Sequence, residues 1–195
     1  MTQNEKPQEH GQAGNQSPTG MYLRFGAMIL TAMVVMYAVM FVSSYEWSHI
    51  RPSISRVFMA LTMGGAMGVV MLAWMLNMYR STKANVAILV ASIMLLALGA
   101  FLDRSQAPVQ DDGFMNSMIP HHSMAITRAE RANLQDARVC ELAVAISEAQ
   151  RREILEMDWL INDIERNGVA ATTEEAAARP VPDFERAAER QCPTQ

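Results

Sequence analysis

Only two cysteines, Cys140 and Cys192, occur among the 195 residues, and they form no C-x-x-C pair. Thiolate zinc sites and dithiol redox motifs are thereby excluded. The two could pair with each other if the C-terminal part faces an oxidising space. A helical setting for Cys140 and a ragged terminus beside Cys192 weigh against that pairing. Excess charge is also missing. The formal net charge is −4 and no basic cluster is present, so no nucleic-acid partner is expected. The H-E-x-x-H zinc-protease signature and the C-x-x-C-H haem motif are absent, and neither C-terminal helix carries the Glu-x-x-His of a di-iron bundle. No nucleophile has a base beside it, and there is no catalytic carboxylate pair or phosphate loop, so no enzymatic role is expected.

Apolar residues make up half the chain, yet mean hydropathy is near zero, so they must be unevenly placed. They concentrate in three charge-free runs: Phe25 to Tyr45, Val57 to Tyr79, and Ala84 to Leu102. Each is close to the ~20 residues that a bilayer-crossing helix needs. Helices are the expected form, because lipid cannot satisfy open backbone groups. Tyr45, Trp47, Trp74 and Tyr79 lie near the ends of these runs, as interface anchors do.

Three spans put the termini on opposite sides of a plasma membrane. Lys6, Arg24, Arg80 and Lys83 would share one side, and Arg51, Arg56 and Arg104 the other. The four-to-three count places the N-terminus in the cytoplasm and the C-terminal part in the periplasm or its equivalent. Residues 1–20, rich in Gln, Asn, Gly and Pro, are expected to be disordered. The chain thus divides into a disordered arm (1–20), a three-helix membrane domain (21–104), a helical hairpin (105–168) and a flexible tail (169–195) with a short amphipathic piece around Phe184. The fold class is all-α.

Methionine is abundant, with 17 copies. Met59, Met63, Met67, Met71 and Met75 recur every four residues along the second span, a track that could pass a soft ion. Steps of four overshoot a turn by about 40°, so the five wrap round the helix. Packing around Gly64, Gly65 and Gly68 is the preferred reading.

In the hairpin, a helix over roughly 112–133 precedes the turn "NLQD". Asp136 then caps a second helix that runs from Ala137 to about Asn167, where Gly168 closes it. The apolar seam of the second helix reads Val139, Leu142, Ile146, Gln150, Glu153, Met157, Leu160, Ile164. Its middle is polar, and a buried Glu153 needs a cation or a strong donor opposite it. On the first helix, Met115, Met118 and His122 share a face, with His121 and Met124 on the flank and Pro120 expected to kink the helix. Facing helices would bring these donors against Gln150, Glu153 and Met157. Thioethers favour Cu(I) and Ag(I), and imidazole also accepts Cu(II). Glu153 could ligate Cu(II) or orient a histidine. The candidate metal ligands are therefore Met115, Met118, His121, His122, Met124, Gln150, Glu153 and Met157. His10 and His49 look incidental. The rival reading is a metal-free helical interaction module that docks another membrane protein.

"FMNSMIPHHSMAITRAERA" followed by "LAVAISEAQRREILEMDWL" resembles the bacterial domain-of-unknown-function family 305, over about residues 110–165. The matching positions are Met118, His121, His122 and Ala125, then Ala143, Ile146, Gln150, Glu153, Ile154 and Met157. The resemblance implies half of a ferritin-like four-helix bundle and an association with copper or silver binding and tolerance. Met124 departs from the family pattern, which more often has a small or polar residue there. One hairpin buries only one face of each helix, so a homodimer completing the bundle is expected, with packing on the membrane domain as the alternative. Membrane lipid and a metal ion are the other expected partners.

Overall fold

The computed structural model describes residues 18–192, all helix and connecting segments with no strand among them. The arm expected to be disordered lies outside the described residues except for 18–20, which already belong to the first helix. That helix, α1, spans Pro18–Val39; α2 spans Ile54–Met75 and α3 Thr82–Ser105. All three are long and apolar enough to cross a membrane. The chain is membrane-anchored through them. α1 ends six residues before the expected Tyr45, and the chain between it and α2 forms a loop with a 3-10 turn at Trp47–His49.

Close backbone approach joins α2 to α3. A Cβ at Gly65 would lie 2.6 Å from the Ser92 carbonyl, and one at Gly99 would lie 2.6 Å from the Thr62 amide nitrogen. Only glycine permits that approach, and the small-residue contact replaces a hydrophobic drive that lipid does not supply. Of the methionine track, Met71 and Met75 pack around the Phe25, Leu72 and Tyr79 cluster, whereas Met59 and Met63 stand exposed on the outside.

The hairpin consists of α4, Asp111–Arg131, and α5, Ala137–Asn167, with Asp136 and Gly168 capping α5 as the sequence indicates. α4 is helical straight through Pro120, which is fully buried. Met115, Ile119, Ile126, Ile154 and Met157 form the core between the two helices.

The seam of α5 differs in its first half. Val139, Leu142 and Ile146 are 45%, 59% and 39% exposed, while Cys140, Ala143 and Ser147 are buried in their place. That face is covered by the tail and the end of α4: Cys140 is bonded to Cys192, and the Ser147 hydroxyl donates to Glu130. The larger aliphatics then stand on the adjacent face.

The tail is strapped down rather than loose. Cys192 is disulfide-bonded to Cys140, with the Cα atoms 5.8 Å apart. The Arg190 guanidinium donates to the carbonyls of Ala129 (2.6 Å), Glu130 (2.9 Å) and Ala132, covering acceptors that the end of α4 leaves unpaired. Arg179 reaches Asp163 at 2.5 Å. The short helix of this segment, α6, spans Thr173–Ala178 with a Thr172–Glu175 capping box, and Phe184 lies in extended chain beyond it.

Candidate functional site

Two faces of α4 do different work. One looks at α5 and carries Met115, Met118, Ile119, His122 and Ile126. The other looks at the membrane domain. Ser117 accepts from the Ser55 amide at 3.5 Å, and Ser123 Oγ accepts from the Tyr45 amide at 2.7 Å. His49 Nδ1 also meets Ser123 Oγ at 2.9 Å, and Arg51 pairs with Asp158 of α5 at 2.8 Å. The hairpin therefore lies against the α1–α2 loop and the start of α2 of its own chain, the packing on the membrane domain weighed above as the alternative to a dimer.

His122 is buried and held at both ring nitrogens. Nδ1 donates to the Met118 carbonyl one turn back at 2.9 Å, and Nε2 meets Glu153 Oε2 at 2.7 Å. The carbonyl fixes Nδ1 as a donor, so Nε2 is the nitrogen free to serve as a ligand or to share a proton with the carboxylate. Gln150 Nε2 completes the row with a long 3.5 Å contact to the same Glu153 oxygen. Glu153 has the expected imidazole opposite it, but its side chain is 40% exposed, so water shares the solvation of the carboxylate and the charge is not a buried one.

Three thioethers stand beside this row. Met115 and Met157 are buried in one cluster, and Met118 packs against it. Met115 and Met157 also line a cleft of about 410 Å³ with Phe114, Leu160 and Ile164, partly covered by the tail. Of the eight residues singled out in the sequence, the structure gathers Met115, Met118, His122, Gln150, Glu153 and Met157 at the α4–α5 contact. The other two leave the group. The Met124 thioether turns to the membrane domain, where Arg56 Nη2 approaches it at 3.7 Å. His121 is exposed, its ring centroid 6.0 Å from that of His122 at an interplanar angle of 70°. Partial burial lowers the His121 pKa from its ordinary value, helped by the charges of His122, Arg128 and Arg56.

No group of three or more His, Cys, Asp or Glu side chains gathers among the described residues. Hard and borderline ions such as Zn²⁺ favour such groups. What is present, thioethers with one oriented imidazole and an amide–carboxylate pair, is chemically suited to a soft monovalent ion.

His49 is the residue that sequence reasoning undervalued. It belongs to a Glu-x-x-His spacing with Glu46, whose Oε2 lies 3.8 Å from its Nε2, on the 3-10 turn rather than in the hairpin. Its partner Ser123 directly follows His122. Nearby, Arg151 stacks over the Tyr45 ring at 4.8 Å and pairs with Glu130 and Glu189. Burial alone would raise the Glu130 pKa. The Ser147 hydroxyl, the backbone amide of Glu189, Arg190 and Arg151 outweigh it and hold Glu130 below its ordinary value.

Comparison with known proteins covers the hairpin and the tail. The family described as "Domain of unknown function (DUF305)" matches residues 111–192, which take in both hairpin helices, α6 and the disulfide-bonded strap. The chain is also similar to "Uncharacterized protein L153" of Acanthamoeba polyphaga mimivirus, 30% identical over 144 residues, or 70% of this chain and 93% of that protein. No solved structure matches.

Proposed function

The chain belongs to the DUF305 family, and on that premise we propose that it is a membrane-anchored binding protein whose outer hairpin holds Cu(I) or Ag(I) in metal tolerance or homeostasis. The observation that carries this reading is the pinned His122. Its Nδ1 is occupied by a backbone carbonyl, and its Nε2 reaches across the helix contact to Glu153, between the same two helices that bury Met115 and Met157. Within the reading, His122, Met115, Met118 and Met157 would hold the ion. Glu153 would orient the imidazole or take up its proton, and Gln150 would steady that carboxylate through its amide N–H. Thioethers stay neutral and resist the oxidation that disables thiols, which suits a site outside the cytoplasm.

The same reading places the protein in a bacterial plasma membrane with the N-terminus in the cytoplasm and the hairpin in the periplasm. The disulfide supports that orientation, because such bonds persist in oxidising compartments. The four-to-three distribution of cations leans the same way.

The test is Cu(I) titration of the full chain in detergent against a chromophoric competitor. His122→Ala should weaken binding by roughly 100-fold, about 2.8 kcal/mol. Unchanged affinity, or equal loss in Met124→Leu, would overturn the assignment. The rival, a metal-free interaction module, draws on the exposed strip Val139, Leu142 and Ile146. Wild-type protein that shows no Cu(I) affinity in the same titration would favour it.

A further inference from the structure

A cleft of about 700 Å³ lies at the end of α1, between the α1–α2 loop and the C-terminal end of α4, and neither His122 nor Glu153 lines it. We propose that it binds one glycerophospholipid, with an acyl chain in the cleft and the phosphate against Arg131.

The walls are apolar and fixed. Tyr37 and Phe41 form one side, their rings edge-on at 5.4 Å, and the Arg56 guanidinium presses on the Phe41 ring at 3.9 Å. Val42 and Trp47 line the cleft yet are 81% and 89% exposed. Side chains of that kind, just past the last turn of a spanning helix, belong at the boundary between hydrocarbon and headgroups. The cleft therefore begins at acyl-chain depth and ends at headgroup depth.

Two polar features select the rest of the lipid. Ser44 borders the cleft, and its hydroxyl is buried without a hydrogen-bond partner among the described residues. A buried donor of this kind needs an acceptor, and an ester carbonyl near the interface supplies one. Arg131 stands on the cleft wall, 5.6 Å over the Tyr45 ring, and makes no ion pair among the described residues. Guanidinium recognises phosphate with paired donors. The carboxylate that also borders the cleft, Glu46, accepts from the Ser48 hydroxyl at 3.2 Å and lies 3.8 Å from His49.

The experiment uses the full chain, delipidated in detergent and then offered phosphatidylglycerol or diacylglycerol with identical acyl chains. Native mass spectrometry reads the lipid retained. Wild type should keep one phosphatidylglycerol per chain, at least fivefold over diacylglycerol. Arg131→Gln should erase that preference. Ala38→Trp, at an exposed position on the cleft wall, should expel both lipids. Circular dichroism and the absence of free thiols verify folding, and Val42→Trp replaces Ala38→Trp if that variant does not fold. Equal retention of the two lipids by wild type overturns the proposal, as does undiminished phosphatidylglycerol in a folded cleft-filling variant. Neither outcome bears on copper affinity.

Discussion

His122 and Ser123 follow one another on α4, point about 100° apart, and serve opposite partners. His122 meets Glu153 across the hairpin, and Ser123 meets Tyr45 and His49 of the outer loop. Burial lowers the His49 pKa from its ordinary value, and Arg51 and Arg151 act in the same direction, against the pull of Glu46 and Asp158. The neutral form is thus favoured in the folded state. The unfolded chain takes up a proton near pH 6.5, before the folded one does. Stability is therefore fully present above that pH and is lost as pH falls through the depressed folded value. Thermal melts between pH 7.5 and 5 should show a smaller acid loss in His49→Gln than in wild type; equal losses would refute the linkage. The sequence exposed the His122 face because Met115, Met118 and His122 obey helical spacing. It misled at Met124, which lies about 200° round the helix from His122, on the side facing Arg56. It could not reveal the role of His49, whose partner is 74 residues away.

At the scale of elements, charge-free runs made the three spans legible, and an N-cap with a closing glycine fixed both ends of α5. The first half of its seam was not legible in the same way. A three–four alternation fits two neighbouring faces, and the face with larger aliphatics is the stronger signal in sequence. The disulfide to the tail and the hydrogen bond to Glu130 select the other, Cys140, Ala143 and Ser147. The strap escaped for a related reason: its polar residues bond to the backbone and acids of distant elements, with no periodicity to betray them. Its disulfide closes a loop with a sequence separation of 52 residues. Replacing Cys192 by Ser should cost about 4 kcal/mol by the chain-entropy estimate. Denaturant melts of the wild-type chain and the variant measure the cost, and indistinguishable midpoints would show that Arg190 and Glu189 hold the strap alone. In cells, a membrane-impermeant maleimide should label the cysteines only after reduction. No labelling after reduction would reverse the proposed orientation, and labelling before reduction would show that the two thiols are not bonded to each other.

For the molecule as a whole, the exposed strip of α5 is where we place a second copy. An antiparallel pair of α5 helices centred near Ile146 would bury Leu142 and Ile146 of both chains, and it would set Glu141 opposite Arg152 in each direction. Light scattering in detergent should report a dimer for wild type and a monomer for Leu142→Glu. A monomeric wild type would remove the second copy while leaving the strip available to a different partner.

The adjacency of His122 and Ser123 also carries a mechanical consequence. One residue of helix rise, about 1.5 Å, separates a side chain gripped by the loop joining the first two spans from a side chain gripped by Glu153. A rigid rod held at neighbouring points transmits rotation without slack. Any tilting of those spans, by bilayer thickness or lateral pressure, would therefore turn the imidazole against its carboxylate, so the His122–Glu153 contact would report the state of the surrounding lipid.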